Sequence, residues 1–167
     1  GGFGKRLGAI TKQIPKPAVQ INGTPMISKL LQNLIRNNFK NFYISLFFKG
    51  SLIKNVIKKN IQIKNITNFN YYTEKKPLGT AGSIFNIISK YKISGPAMVI
   101  NSDIMTNVNF QQIFDFYKKN KSDHLVCVKE IKTSVPYGIC KIKNNKLVNI
   151  EEKIEISNYI NAGIYIF

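Results

Sequence analysis

Short apolar runs of strand length alternate along this chain with segments whose apolar residues recur at helical spacing, and that alternation restricts the fold more than any other feature. Phe42 to Phe48 is dense in apolar and aromatic residues, suited to a buried parallel strand. Ile27, Leu30, Leu31, Leu34 and Ile35 share a helix face up to Asn38, with Thr24-Pro25 read as an N-cap and a first helical proline. Leu52, Ile53, Val56 and Ile57 give a second amphipathic helix. A strand is expected near Phe69 to Tyr72, a helix from about Thr80 to Tyr91, and a short buried strand at Ala97 to Ile100. A helix over about Phe110 to Asn120, capped by Asn109, precedes a strand-rich end: Leu125 to Lys129, Gly138 to Ile142, Leu147 to Ile150 and Tyr159 to Phe167. This order predicts an α/β fold with a doubly wound mixed sheet and an antiparallel portion towards the C-terminal end.

Length and composition set the outer bounds. At 167 residues, 44% of them hydrophobic, the chain is the size of one domain with a real core, and no repeat or linker divides it. We expect a single domain over residues 1–167 that is cut at both ends. The glycine loop at residue 1 has no strand before it, and Tyr165-Ile166-Phe167 stops inside an apolar run. No apolar run approaches the ~20 residues of a membrane span, and no secretory leader is visible, so a cytoplasmic protein is the expectation. Cys127 and Cys140 lie in strand-like apolar stretches and read as reduced core residues rather than a disulfide framework. The lone His124, at the start of a strand, reads as structural or surface rather than catalytic.

The formal net charge of +17 invites a nucleic-acid reading. The lysines, however, are spread over every segment and accompany many Asn and Ile residues, a bias expected of an A+T-rich genome. A polynucleotide partner is therefore not the favoured reading. The same basic surface would steer smaller anions such as nucleotides and phosphosugars.

In a doubly wound sheet ligands gather beyond the carboxyl ends of the strands, so the loops that follow strands carry the chemistry. The chain opens on Gly1-Gly2-Phe3-Gly4-Lys5-Arg6-Leu7-Gly8. Glycines let backbone N–H groups close on phosphate oxygens without Cβ interference. The Walker A pattern fails here, because no Gly-Lys-Ser/Thr follows four spacer residues. The dinucleotide pattern fails as well, since Leu7 stands where its third glycine belongs. Further on, Pro15-Lys16-Pro17 presents a cation on a segment stiffened from both sides. Alone it would read as an exposed turn. With the glycine loop it reads as a cationic cradle, because phosphoryl and nucleotidyl transfer need charge neutralised in place by rigidly held cations.

The combination resembles the sugar-1-phosphate nucleotidyltransferase family: the glycine loop through Leu7, then Thr11, Pro15-Lys-Pro and Asn22-Gly-Thr-Pro-Met26. Pro77-Leu-Gly-Thr-Ala-Gly82, Asn101-Ser-Asp103, Glu151-Glu-Lys153 and Asn161-Ala-Gly163 agree with it in order along essentially the whole chain. The resemblance implies a Rossmann-like fold of the nucleotide-diphospho-sugar transferase type, with an antiparallel, strand-rich sugar-binding portion. It implies Arg6 and Lys16 as catalytic cations on the triphosphate and sugar phosphate. Gly1, Gly2, Gly4 and Lys5, with Gly79, Thr80 and Gly82, would wrap the nucleotide. Asp103 would bind Mg²⁺, a hard-cation ligand at a strand end, although it could also cap a turn. The family's usual Gly before this Asp is Ser102 here, and its second metal-binding Asp belongs further downstream.

Glu74 falls where family members place a base-reading side chain. A carboxylate accepts both N1–H and N2–H of guanine. A surface pairing of Glu74 with Lys75 or Lys76 is the competing reading. Gly138, beside Tyr137, together with Glu152, Lys153 and Asn161 would contact the sugar, whereas Glu151-Glu152-Lys153 alone could be a solvated turn. Within the family the chain looks most like bacterial guanylyltransferases acting on heptose 1-phosphate or glucosamine 1-phosphate in surface glycan synthesis.

The implied activity is transfer of a nucleoside monophosphate from an NTP, GTP by preference, to a sugar 1-phosphate, releasing pyrophosphate. Uridylyl, thymidylyl or cytidylyl transfer, and a non-catalytic homologue that binds NDP-sugar, remain alternatives. A homo-oligomer is compatible with the sequence, which does not fix the oligomeric state.

Overall fold

Pro15 and Pro17 shape the first element of the computed structural model, which describes residues 14–61, 68–79 and 81–167. Pro15 lies at φ −62°, ψ 139°, and a single 3₁₀ turn follows over Lys16–Ala18, its proline within the first two positions. The Ala18 and Val19 N–H groups close it onto Pro15 and Lys16 carbonyls at 2.8 and 3.1 Å. Next comes a minimal hairpin, β1 (Gln20–Ile21) and β2 (Thr24–Pro25), paired Gln20 to Pro25 and Ile21 to Thr24. Its two turn residues, Asn22 and Gly23, both have positive φ (51° and 74°), as a two-residue Asn-Gly hairpin turn requires.

This hairpin corrects the expected start of the first helix. Thr24 is a strand residue and caps nothing; α1 runs Met26–Arg36 with Pro25 at its N-cap position and no side-chain cap. The Asn-Gly turn takes over the role assigned to Thr24, because its pairing delivers the Met26 N–H to the Val19 carbonyl at 3.0 Å. The apolar face of α1 is as expected, with Met26, Ile27, Leu30, Leu31 and Leu34 buried.

Strand β3 (Asn41–Leu46), helix α2 (Gly50–Asn60) and strand β4 (Asn68–Thr73) form a parallel crossover unit, in register from Asn41–Asn68 to Leu46–Thr73. Phe42 and Phe69, adjacent in that register, stack with ring centroids 5.0 Å apart. Helix α3 (Gly82–Tyr91) and strand β5 (Met98–Ile100) follow. Helix α4 (Phe110–Asn120) is capped as the sequence predicts, the Asn109 side-chain oxygen accepting from the Gln112 N–H at 3.0 Å. Replacing Asn109 with Ala is expected to cost about 1 kcal/mol, measured as a shift in the urea midpoint at unchanged slope.

The C-terminal strands are β6 (Leu125–Ser134), β7 (Ile139–Lys143), β8 (Lys146–Glu151) and β9 (Glu155–Ile166). β9 lies between β5 and β6, antiparallel to both, while β7 and β8 form a separate antiparallel hairpin. β6 and β9 run well beyond their expected apolar stretches. Main-chain pairing continues from Val128–Asn161 out to Ser134–Glu155, where the added residues are mostly polar and the isolated Ile131 and Ile156 are exposed, a weak apolar signal.

The core gathers Ile27, Leu30, Leu31 and Leu34 of α1, Phe42 and Leu46 of β3, Ile53 and Ile57 of α2, Phe110 of α4 and Ile164 of β9. Cys127 is half-buried against this core, and burial pushes its thiol pKa up, which suits an unreactive packing residue. Cys140 is exposed on the β7–β8 hairpin, correcting the core reading: a two-stranded hairpin has one uncovered face whatever its apolar content. His124 is exposed and packs its ring edge-on to Phe167 at 5.7 Å. No helix among the described residues is long and apolar enough to cross a membrane.

Candidate functional site

Lys16 and Asp103, from two motifs far apart in the sequence, meet. The Lys16 ammonium donates to Oδ2 of Asp103 at 2.5 Å, across 87 positions of sequence. The proline-bounded 3₁₀ turn fixes the backbone of the first, and the turn leaving β5 carries the second. Each side chain retains about a third of its exposure (36% and 34%). The pair is therefore open to solvent and to an incoming ligand.

The loop bearing Asp103 is held from two directions. On one side, Asn33 of α1 donates its amide to the Thr106 and Val108 carbonyls, both at 3.4 Å, and Asn37 accepts the Gln111 N–H at 3.2 Å. On the other, the Asn101 N–H donates to the Gly163 carbonyl at 2.9 Å. Gly163 has φ +74°, and a Cβ there would lie 2.7 Å from the Asn101 amide nitrogen. Only glycine suits that position, because it needs both the left-handed conformation and the close approach. The Gly163 N–H donates to Oδ1 of Asn161 at 2.8 Å, and Nδ2 of Asn161 donates to the Tyr165 hydroxyl at 2.7 Å. The Asn161 amide is thus fixed in orientation, one peptide link away from the segment that carries Asp103.

Asn101 itself was not singled out by the sequence. Its signal lay in the block Asn101-Ser-Asp103, where only the carboxylate drew attention. Its exposed side chain lies over Gly163.

Glu74 immediately follows β4, and its N–H donates to the Leu46 carbonyl at the end of β3 at 2.8 Å. It is buried, 6% exposed, with Oε1 accepting from the Ser45 hydroxyl at 2.6 Å. That disposes of a solvated surface pairing with Lys75 or Lys76. Glu74 sits just past the carboxyl end of the parallel strand β4, where such sheets place ligands, and Asp103 follows the carboxyl end of β5. Ser45 was also missed, since a serine inside an apolar strand carries no sequence signal of its partner.

Gly79 has φ +72° with open space where a Cβ would stand, and Gly82 opens α3 with a would-be Cβ 2.8 Å from Cβ of Leu78. Small residues here follow from backbone conformation and packing as well as from any nucleotide. Arg6, Lys5, Gly1, Gly2, Gly4 and Thr80 lie outside the described residues.

On the β7–β8 hairpin, a Cβ at Gly138 would meet Cγ2 of Ile150 at 2.9 Å and Cγ of Glu152 at 3.9 Å. Two sugar-site candidates are therefore neighbours. Glu151 forms an ion pair with Lys141, whereas Glu152 makes none among the described residues. Lys153 follows with φ +54°, closing the turn into β9. No hydrogen bond or ion pair among the described residues joins this hairpin to the Lys16–Asp103 pair, so the site candidates fall into separate groups.

With this geometry in view, the comparisons with known proteins are specific. The family model described as Nucleotidyl transferase matches residues 1–167. The mannose-1-phosphate guanyltransferase of Aspergillus fumigatus is 31% identical over 99% of this chain and 47% of its own length. The chain spans about half the length of the curated relatives it matches. The crystal structure of HddC from Yersinia pseudotuberculosis superposes with a TM-score of 0.73 at 28% identity, covering 99% of this chain and 72% of that one. The HddC complex with GMP-PN gives 0.71 at 29% identity over the same shares. These likenesses give the chain the Rossmann-like mixed α/β fold expected from its strand and helix order. Since the family model spans all of its residues, the chain belongs to the nucleotidyl transferase family.

Proposed function

We propose that the protein transfers a guanylyl group from GTP to a sugar 1-phosphate, forming a GDP-sugar and releasing pyrophosphate. The observation that carries this reading is the Lys16–Asp103 contact. It sets a phosphate-binding cation and a metal-type carboxylate side by side just past the carboxyl end of a strand, on a chain of this family. The reading is supported by the mannose-1-phosphate guanyltransferase name of the Aspergillus relative and by GMP-PN bound to HddC. The sugar belongs to surface or other glycan synthesis, and the reaction to the cytoplasm, where nucleoside triphosphates are made.

The chemistry asks for positioning and charge neutralisation rather than a protein nucleophile. A phosphate oxygen of the sugar 1-phosphate attacks the α-phosphorus of GTP, and pyrophosphate leaves in line. Lys16 and Arg6 neutralise the phosphates during that exchange. Glu74, set at the end of β4 and oriented by Ser45, reads the guanine edge. Asn161, locked by Gly163 and Tyr165, offers its amide to the sugar with Gly138, Glu152 and Lys153.

A divalent cation, Mg²⁺ in this reading, would rest on Asp103 and act as a Lewis acid on the phosphates when bound. Among the described residues no group of three or more His, Cys, Asp or Glu side chains could hold it. A site with one protein carboxylate completed by substrate phosphates suits Mg²⁺, and the part-exposed Asp103 carboxylate is already placed against a cation.

Guanine selection has a direct test. A Gln at position 74 keeps an acceptor for the Ser45 hydroxyl but loses the charge and the second acceptor that guanine uses. Glu74→Gln is expected to lower kcat/KM for GTP about tenfold or more relative to UTP, and an unchanged ratio removes Glu74 from base reading. The function as a whole is tested by ³¹P NMR of the full-length protein with each of four NTPs and a panel of sugar 1-phosphates. The GTP reaction should yield a GDP-sugar. Nucleotide binding without product in any combination would mark a non-catalytic homologue.

A further inference from the structure

The Lys16–Asp103 contact poses a problem for the reaction proposed above, because each partner is needed elsewhere. Lys16 is assigned to the phosphates and Asp103 to the cation, yet here they spend their charges on each other at 2.5 Å. An ammonium and a divalent cation drawn to the same small carboxylate repel each other, so seating one weakens the hold of the other.

We infer that Lys16 is the built-in counter-cation of Asp103, holding that carboxylate in place before a divalent cation arrives and being displaced towards the phosphates when one binds. This rests on the reading of Asp103 as the cation ligand. Three observations favour a displaceable partner over a permanent structural pair. The Lys16 backbone is pinned by the flanking prolines while its side chain is not, so the ammonium can move without disturbing the fold. Both side chains are about one-third exposed, a setting in which an ion pair is weak and readily exchanged. The contact is a single ammonium-to-oxygen one, and no hydrogen bond to Asp103 from another described residue would resist the exchange.

The consequence is an order of events. The cation frees Lys16, so a phosphate engages Lys16 more tightly once the cation is seated. A competing internal cation also weakens metal binding in the absence of nucleotide.

Mn²⁺ titration of the full-length protein followed by electron paramagnetic resonance, without nucleotide, tests this. Lys16→Met is expected to bind Mn²⁺ about two- to fivefold more tightly than wild type, the factor set by the modest strength of such a pair. Affinity that is equal or weaker, or no measurable binding in either protein, overturns the inference. Loss of charge alone could also tighten binding, so a second readout follows Lys16 itself. In protein whose lysines carry ¹³C-methyl groups, the Lys16 resonance is the one missing from Lys16→Arg. Mg²⁺ should move it towards its position in Asp103→Asn, and should leave it unmoved in that variant. A wild-type resonance indifferent to Mg²⁺ overturns the inference. Pyrophosphate release by the same wild-type preparation reports the transferase reading separately. An active enzyme with an unmoved Lys16 resonance keeps the reaction and loses the displacement, whereas an inactive enzyme with a moved resonance does the reverse.

Discussion

Lys16→Ala is expected to lower the rate of pyrophosphate release about 10²- to 10³-fold, the usual loss when one preorganised group that stabilises developing charge is removed. Stability should hardly change. Lys16 is part-exposed, its one ion pair is of the kind worth at most about 1 kcal/mol, and its backbone is shaped by Pro15 and Pro17 rather than by its side chain. A thermal midpoint close to wild type, with turnover nearly abolished, separates this loss from unfolding. Lys16→Arg should rescue poorly. The planar guanidinium is larger and directs its donors in a fork, where the present contact is a single ammonium-to-oxygen one. Near-wild-type turnover in Lys16→Ala would remove Lys16 from the transfer site, and with it the main structural support for the proposed function.

The second large effect is expected at Gly163, where backbone conformation and site geometry coincide. Gly163→Ala forces a β-carbon into the left-handed region at φ +74°, at a cost of roughly 1–2 kcal/mol. The new methyl would also lie 2.7–3.2 Å from the Asn101 side chain, which must move. The total destabilisation should reach about 2–3 kcal/mol, read from chemical denaturation. Activity should fall beyond what reduced stability explains. Asn101 leads into Asp103 two residues later, and the Gly163 N–H fixes the Asn161 amide. Adding Asn101→Ala relieves the steric part and leaves the φ cost, so the double variant should regain part of the stability and little of the activity. A stable and fully active Gly163→Ala would show that this corner carries neither strain nor function.

Legibility in the sequence varied with the kind of signal involved. Helices α1 and α2 announced themselves because each buries one apolar face: Leu30, Leu31 and Leu34 on α1, Ile53 and Ile57 on α2. The Asn109 cap was readable because capping is a contact between near neighbours in sequence. Where the reading failed, the deciding interaction lay outside the local pattern. Thr24-Pro25 looked like a helix start, but cross-strand pairing around Asn22-Gly23 made it a strand. β6 and β9 continue through polar residues because main-chain pairing, not side-chain burial, extends them. Cys140 has an apolar neighbourhood in sequence but stays exposed on its hairpin.

The site divides in the same way. Lys16 was legible as chemistry by its prolines and Asp103 by the family resemblance of its block, but their contact was not, since nothing in either motif specifies the other. Glu74 was legible as a candidate, while its burial under Ser45 needed the parallel β3–β4 pairing. Asn101 and Ser45 escaped notice because their significance is wholly a matter of which residue faces them.

The most direct test is a structure of the full-length protein with a non-hydrolysable GTP analogue and a divalent cation. The account predicts the phosphates within hydrogen-bonding reach of the Lys16 ammonium, the cation on Asp103 with the Lys16–Asp103 contact opened, and the guanine edge at Glu74. A nucleotide bound elsewhere, with Lys16 and Asp103 still paired to each other, would contradict it.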